Sequence, residues 1–287
     1  MSSMTISEVY QTAYDKNLDA QDQESRAFDL SCLLEDCFGL GRFGRARAGG
    51  QPADRACAER FFALCERYEA GEPLQYLLGE WEFYGLPFEV GEGVLIPRPD
   101  TETLVDLARS FLKGREAPAV ADLCAGSGCI AVAAAHYFPS AQIYALELSE
   151  AALAYLRRNA ARNRAENIRV LACDVLHPPK GLPRLDLILS NPPYIPGHEM
   201  ESLQRQVQHE PQMALYGGED GLHFYRAIPP LYLPLLKDGG MLAFEVGYNQ
   251  AGQVAALLTE SGFVQVGTRK DLAGIDRVVF GYKKERR

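Results

Sequence analysis

The chain has 287 residues, 47% of them apolar and 23% charged, with a formal net charge of −9. That size and balance fit a globular protein of one large or two smaller domains. The negative charge argues against a protein whose main affinity is for nucleic-acid phosphate, and no apolar run approaches the ~20 residues that span a bilayer. The opening stretch from Met1 to Glu8 lacks the basic and apolar regions of a signal peptide, which points to the cytoplasm. The seven cysteines (Cys32, Cys37, Cys57, Cys65, Cys124, Cys129, Cys173) are odd in number and dispersed. They read as small buried thiols in a reducing compartment. The five histidines form no ligand cluster, so no metal is expected.

Residues 1–78 read as a small helical bundle. Thr5 and Glu8 form a capping box ahead of Val9, Tyr10 and Ala13. Ala27, Phe28, Leu30, Leu33, Leu34, Cys37 and Phe38 give a 3.6-residue stripe that stops at Gly39. Gly39 to Gly50, with Arg42, Arg45 and Arg47, reads as a solvated connection; the sharper reading is a contact for an acidic partner. Pro52 suits the first turn of a helix carrying Ala56, Phe61, Phe62, Leu64, Cys65 and Tyr68 and ended by Gly71. No acid, base or nucleophile clusters here, so the bundle is expected to recognise a partner. Gln75 to Val90 alternates aromatic and polar residues around Gly85 and predicts a β-hairpin, taken with the residues up to Pro99 as a linker over 79–99. Pro97-Arg98-Pro99 then stiffens the approach to a helix capped by Asp100 or Thr101.

Over residues 100–287 helices and strands alternate, the pattern of a parallel sheet. Strands are expected at Ala119–Leu123, Gln142–Leu148, Ile168–Cys173, Leu185–Ser190 and Met241–Val246. Helices are expected at Ile130–Phe138, Ser149–Arg162, 220–236 with a break near Pro229-Pro230, and Gln250–Ser261. Phe263–Thr268 and Arg277–Tyr282 would close the sheet as an antiparallel pair.

Four strand ends carry the chemistry. The first strand holds Asp122 and runs into Cys124-Ala125-Gly126-Ser127-Gly128. Glycines let backbone approach a ligand there, and the next helix offers N–H groups to an anion. The spacing departs from the Gly-x-Gly-x-x-Gly of dinucleotide folds and suits a ligand with a carboxylate and an amine. Glu147 ends the second strand, where a carboxylate can accept two ribose hydroxyls. Asp174 ends the third, where it could accept from an adenine amino group. Each acid alone is more often a solvated strand end or a helix cap. At the fourth end, Asn191-Pro192-Pro193-Tyr194 must leave the sheet, because two prolines cannot continue a ladder. This turn offers an amide, backbone carbonyls and an aromatic face, a set that suits a planar NH2 group. The Asn191 oxygen and the Pro192 carbonyl would accept its two hydrogens while Tyr194 packs on its plane. Parallel strands put all four ends on one side of the sheet, so they form one site.

These stretches resemble the release factor glutamine methyltransferase family. The resemblance is carried by Gln75-Tyr76 with Gly79-Glu80, Ile96-Pro97-Arg98-Pro99-Asp100-Thr101-Glu102, Asp122 to Gly128, and Asn191 to Tyr194; Glu210-Pro211 and Gly217 to Leu222 also fit. It covers residues from about 75 to the C-terminus, and the N-terminal helices match the family's substrate-binding domain in size and place. It implies an α/β fold with a seven-stranded, Rossmann-like class I methyltransferase sheet. It implies S-adenosylmethionine as methyl donor, held by Asp122, Cys124, Ala125, Gly126, Ser127, Gly128, Glu147, Asp174, Val175 and Asn191. The substrate side would be Asn191, Pro192, Pro193, Tyr194 and Arg98, with Asn191, Pro192 and Tyr194 catalytic. The reaction implied is methylation of the side-chain amide of the glutamine in the Gly-Gly-Gln motif of class I peptide-chain release factors, by a cytoplasmic monomer with no membrane or direct nucleic-acid target. Cys124 stands where many members have glycine, and Val175 where some carry an aromatic. The Asn-Pro-Pro-Tyr motif is shared with adenine and cytosine amino-methyltransferases, so nucleic acid is the rival substrate. That rival predicts a basic face and base flipping, which sit poorly with the net charge. Two further rivals are a binding module without catalysis, which the intact Asn191, Pro192 and Tyr194 oppose, and a dehydrogenase, which the glycine spacing disfavours.

Overall fold

The computed structural model describes residues 4–17, 23–41 and 44–285. Residues 1–3 and Arg42, which enter the reading of the N-terminal stretch, lie outside the described residues. The chain divides into two compact units, residues 1–79 with 205–209 and residues 80–204 with 210–287.

The smaller unit is helical: α1 Ile6–Tyr14, α2 Gln23–Cys37, α3 Gly44–Ala48, α4 Arg55–Glu69 and α5 Leu74–Leu78. The capping box of α1 forms, with Glu8 N–H donating to Thr5 Oγ1 at 3.3 Å and Thr5 N–H donating to Glu8 Oε2 at 2.7 Å. Val9, Leu30, Leu33, Leu34 and Phe61 fill its core. The structure corrects three local expectations. The glycine- and arginine-rich connection contains α3, and its end is bound to α1: Ser7 N–H donates to Gly49 C=O and Ile6 N–H to Gln51 C=O. Two N–H groups of the first turn of α1 thereby find acceptors. Pro52 does not start α4; Asp54 does, because its carboxylate accepts the Cys57 N–H at 3.0 Å, and a side-chain cap fixes a helix start better than a proline can. Gln75 to Leu78 is helical rather than part of a hairpin, and Gly79 ends it in the left-handed conformation at φ 76°.

The larger unit begins with the hairpin β1 Glu80–Phe83 and β2 Leu86–Glu89. It continues with α6 Glu102–Leu112, β3 Ala119–Leu123, α7 Cys129–Tyr137, β4 Gln142–Glu147, α8 Glu150–Arg162, β5 Ile168–Ala172 and β6 Leu185–Ser190. The short α9, Arg205–Gln208, belongs to the smaller unit. Then follow α10 Gln212–Leu215, α11 His223–Tyr232, β7 Leu236–Glu245, α12 Ala251–Glu260, β8 Phe263–Lys270 and β9 Asp276–Lys283. Among the described residues, seven strands form one sheet in the order β5-β4-β3-β6-β7-β9-β8. The pairs from β5 through β7 are parallel, and β9 runs antiparallel to β7 and β8. Alternate strand residues face opposite layers. Val120, Ile143, Leu187 and Met241 pack with α6 and α7, while Ala121, Leu146, Ile188 and Phe244 pack with α11 and α12. No helix among the described residues is long and apolar enough to cross a membrane.

The hairpin packs on α8 within this unit. Asn159, fully buried, accepts the Glu89 N–H at 2.7 Å and donates to Glu89 C=O and to Ser127 C=O. Neither Asp100 nor Thr101 caps α6 with its side chain; Thr101 is 2% exposed and turns inward. Helix α11 runs through Pro229 and Pro230 without a break and passes into a 3-10 turn at Leu233–Leu235. Strand β7 starts at Leu236, five residues before the expected Met241, because Leu236 pairs with Leu185 before an irregularity in the register. Asp186, which interrupts the apolar β6, is satisfied by the Ala119 N–H at 2.8 Å and Lys237 Nζ at 2.6 Å.

Arg26 is the polar tie of the smaller unit. It is 4% exposed, ion-paired with Glu69 at 2.8 Å, and donates to the Tyr14 and Ala13 carbonyls that end α1. Arg26→Met would remove this donor from both carbonyls, leaving Ala13 C=O only the Asp15 N–H. It should destabilise this unit by about 2–3 kcal/mol. The check is faster hydrogen exchange of α1 and α2 in the full chain.

Candidate active site

Strand β3 sits beside β6, while β4 and β5 extend the sheet one way and β7 the other. The winding therefore reverses between β3 and β6, and in open α/β sheets the ligand crevice opens at the carboxyl ends of such strands. A cavity of about 240 Å³ lies there. Of the residues expected from sequence, Cys124, Gly126, Glu147, Asp174, Val175, Asn191 and Pro193 line it. Asp122, Ala125, Ser127, Gly128, Pro192, Tyr194 and Arg98 are not among its lining residues.

The loop after β3 is tight. Cys124, Gly126 and Gly128 all have positive φ, at 60°, 55° and 82°. Cysteine thus adopts at 124 the left-handed backbone that glycine favours, and the departure from glycine leaves the turn intact. Asp122 is 1% exposed; its Oδ2 accepts the Ala131 N–H at 3.0 Å in the first turn of α7. Its Oδ1 is buried with no hydrogen-bond partner. Burial, reinforced by the nearby Glu147, pushes this carboxyl well above the usual carboxylate range. Glu147 braces the loop instead of standing free. Its Oε2 accepts the Gly126 N–H at 2.7 Å, and its Oε1 accepts the Leu148 and Ser149 N–H groups at 2.8 Å each. Asp174 accepts the Leu176 N–H at 2.9 Å and lies 2.9 Å from His177 Nδ1.

The turn after β6 makes few bonds of its own, since Pro192 and Pro193 have no N–H. It is held from outside. Gln250, 5% exposed, donates through Nε2 to Tyr194 C=O at 3.0 Å and Gly221 C=O at 3.3 Å, and accepts the Gly247 N–H at 2.9 Å. Ile195 N–H donates to Leu215 C=O, and Gly217 N–H to Ile195 C=O. A Cβ at Gly217 would lie 2.6 Å from Tyr194 Cα, so only glycine allows this approach. Asn191 Nδ2 donates to Thr101 Oγ1 at 3.3 Å. Tyr194 packs against the core cluster that includes Tyr225, and burial pushes its phenol up. Arg98 is ion-paired with Glu210, which also accepts the Ile96 N–H at 3.0 Å. This clamp joins the Pro-Arg-Pro segment to Pro211, which lines the cavity.

Several contributors escape a reading of the sequence. Gly93, Val94 and Leu95 line the cavity, as do Met213, Ala214 and Phe224. The first three precede the Pro-Arg-Pro segment, which is the available signal. Met213 and Phe224 carry none, being ordinary apolar residues of short helical segments. Gln250 gives no signal because two of its three backbone partners, Tyr194 and Gly221, are distant in sequence.

A family model described as methyltransferase small domain matches residues 101–219, and one described as PrmC N-terminal domain matches residues 12–79. The chain is 43% identical over 260 residues to the release factor glutamine methyltransferase of Geobacter sulfurreducens, which covers 90% of each chain. It is 43% identical over 221 residues to the protein of the same name from Fusobacterium nucleatum, covering 77% of this chain and spanning 62% of that relative's length. The crystal structure of a methyltransferase from Pyrococcus furiosus aligns with a TM-score of 0.54 at 19% identity, over 79% of this chain and 97% of that one, a likeness of fold. Identity at the Geobacter level, sustained along almost the whole of both chains, means that this chain belongs to the release factor glutamine methyltransferase family.

Proposed function

We propose that the chain transfers a methyl group from S-adenosylmethionine to the side-chain amide nitrogen of the glutamine in the Gly-Gly-Gln motif of class I peptide-chain release factors, acting in the cytoplasm. The observation that carries this reading is that Asn191 and Pro193 of the turn meet the Glu147 and Asp174 carboxylates in one cavity at the switch point. The residues present suit the donor. Val94, Leu95 and Val175 give apolar walls for a purine, and the carboxylates retain lone pairs for hydroxyl and amino groups. When bound, S-adenosylmethionine supplies a methyl group activated by its sulfonium.

An amide nitrogen is a poor nucleophile, because its lone pair is delocalised into the carbonyl. The described residues that line the cavity include no histidine or lysine to act as base. The protein's contribution is therefore positioning and electrostatics. With Nδ2 bonded to Thr101, the Asn191 amide turns its oxygen to the opposite side, where it accepts one substrate N–H. The Pro192 carbonyl accepts the other. Tyr194 excludes water from the amide plane. The second amide proton leaves after transfer, when the nitrogen is acidic.

Incubation with a release factor and S-adenosylmethionine should add one methyl to the Gly-Gly-Gln glutamine, read by peptide mass spectrometry. Methyl transfer to duplex DNA or ribosomal RNA, with none to release factor, would overturn the reading. Asn191→Ala should lower kcat on the order of 100-fold while circular dichroism stays unchanged. Tyr194→Phe should be mild, because the ring face and not the hydroxyl does the packing. Gly217→Ala, which adds no reactive group, should also reduce kcat strongly by displacing Tyr194; an unchanged rate would mean that the turn tolerates movement.

A further inference from the structure

Glu245 ends β7 and is 1% exposed. Its Oε2 is buried without a hydrogen-bond partner. The Thr101 and Asn191 side chains are the hydrogen-bonding groups beside the carboxyl. No described cation comes within ion-pairing distance of it. Arg277, the nearby guanidinium from β9, is held instead by Asp100 at 3.1 Å, Asp271 at 3.1 Å and Val246 C=O at 3.2 Å. The other ionisable neighbours are Asp100 ahead of α6, Tyr194 in the turn, Tyr225 from α11 and Cys129 at the start of α7. A lone buried acid behind the turn has no evident structural purpose, since an apolar residue would cost less.

The arrangement has a direction. Asn191 Nδ2 donates to Thr101 Oγ1, so the one Thr101 proton is free to donate to the Glu245 carboxylate. We propose that Glu245 is a positioning residue for methyl transfer: its carboxylate, through the Thr101 hydroxyl, sets the direction of the hydrogen bonds that leave the Asn191 amide oxygen facing the cavity. This rests on the reading of the reaction given above. When Glu245 is protonated it donates to Thr101 Oγ1, and Thr101 can then donate to the Asn191 oxygen. The amide turns over and presents its NH2 to a substrate that needs an acceptor. Burial, partly offset by Thr101 and Arg277, pushes the carboxyl up to about 7, so both forms are populated near neutral pH.

The test is the pH dependence of kcat for release-factor methylation at saturating S-adenosylmethionine. Wild type should lose about tenfold per pH unit below a midpoint near 7. Glu245→Gln keeps an oxygen acceptor for Thr101 but cannot titrate, so the acid limb should vanish while S-adenosylmethionine binding is unchanged. Thr101→Val breaks the relay and should lower kcat on the order of 10–100-fold. Thr101→Ser should restore it. If Glu245→Gln does not fold, the threonine pair decides alone. An acid limb retained in Glu245→Gln, or a Thr101→Val enzyme with wild-type kcat, overturns the proposal. Absence of release-factor methylation by wild type would instead overturn the reaction itself, a separate result.

Discussion

The exit of β6 is the constraint on which the site depends. A strand buried on both faces must end at Asn191, because the next two residues cannot donate to a ladder. Leaving the sheet there also takes the Pro192 and Pro193 carbonyls away from the N–H donors of neighbouring strands. That makes a rigid acceptor surface, but a turn with few bonds of its own must be fixed by others. Gln250 from the start of α12, the glycines at 217 and 221, and Thr101 ahead of α6 each supply one constraint. These come from three separate stretches of chain. The turn is thus as rigid as the packing of the whole larger unit, and loosening any one support reaches the reacting geometry.

The parts of the fold that rest on local rules are legible in the sequence. The capping box of α1, the strands β3 to β6 and the antiparallel end of the sheet follow from side-chain period and turn residues. Where elements differ from expectation, a competing interaction decides, sometimes local and sometimes distant. Proline at 52 gives way to the Asp54 cap, Pro229 and Pro230 are absorbed into α11, and β7 gains length by pairing Leu236 with Leu185. The strand-end acids are legible as a set but not as contacts. Glu147 braces the glycine loop through three backbone N–H groups, and Arg98 binds Glu210, because a sequence shows which groups are polar and not which neighbour reaches them first. Thr101 reads as a helix cap. Its hydroxyl instead faces Asn191, ninety residues on, a link that no periodicity encodes.

The buried acids show what this organisation costs. The carboxyls of Asp122 and Glu245 are both driven up by burial, and neither Oδ1 of the first nor Oε2 of the second has a partner. A carboxyl with a raised folded-state pKa binds its proton more tightly in the native chain than in the unfolded one. Its contribution to stability is complete below the unfolded value and is lost as pH rises through the folded one. For Glu245 that interval runs from 4.5 to about 7, and the loss by neutral pH is about 3 kcal/mol at most. At the upper end of that interval, near the folded value, the carboxylate forms and comes to hold Asn191 in its accepting orientation. The proton that stabilises the fold and the proton that misdirects the amide are therefore the same proton. A chain under selection for stability alone would replace Glu245 with an apolar residue; keeping it is consistent with a turn whose orientation, more than its rigidity, is what the reaction needs.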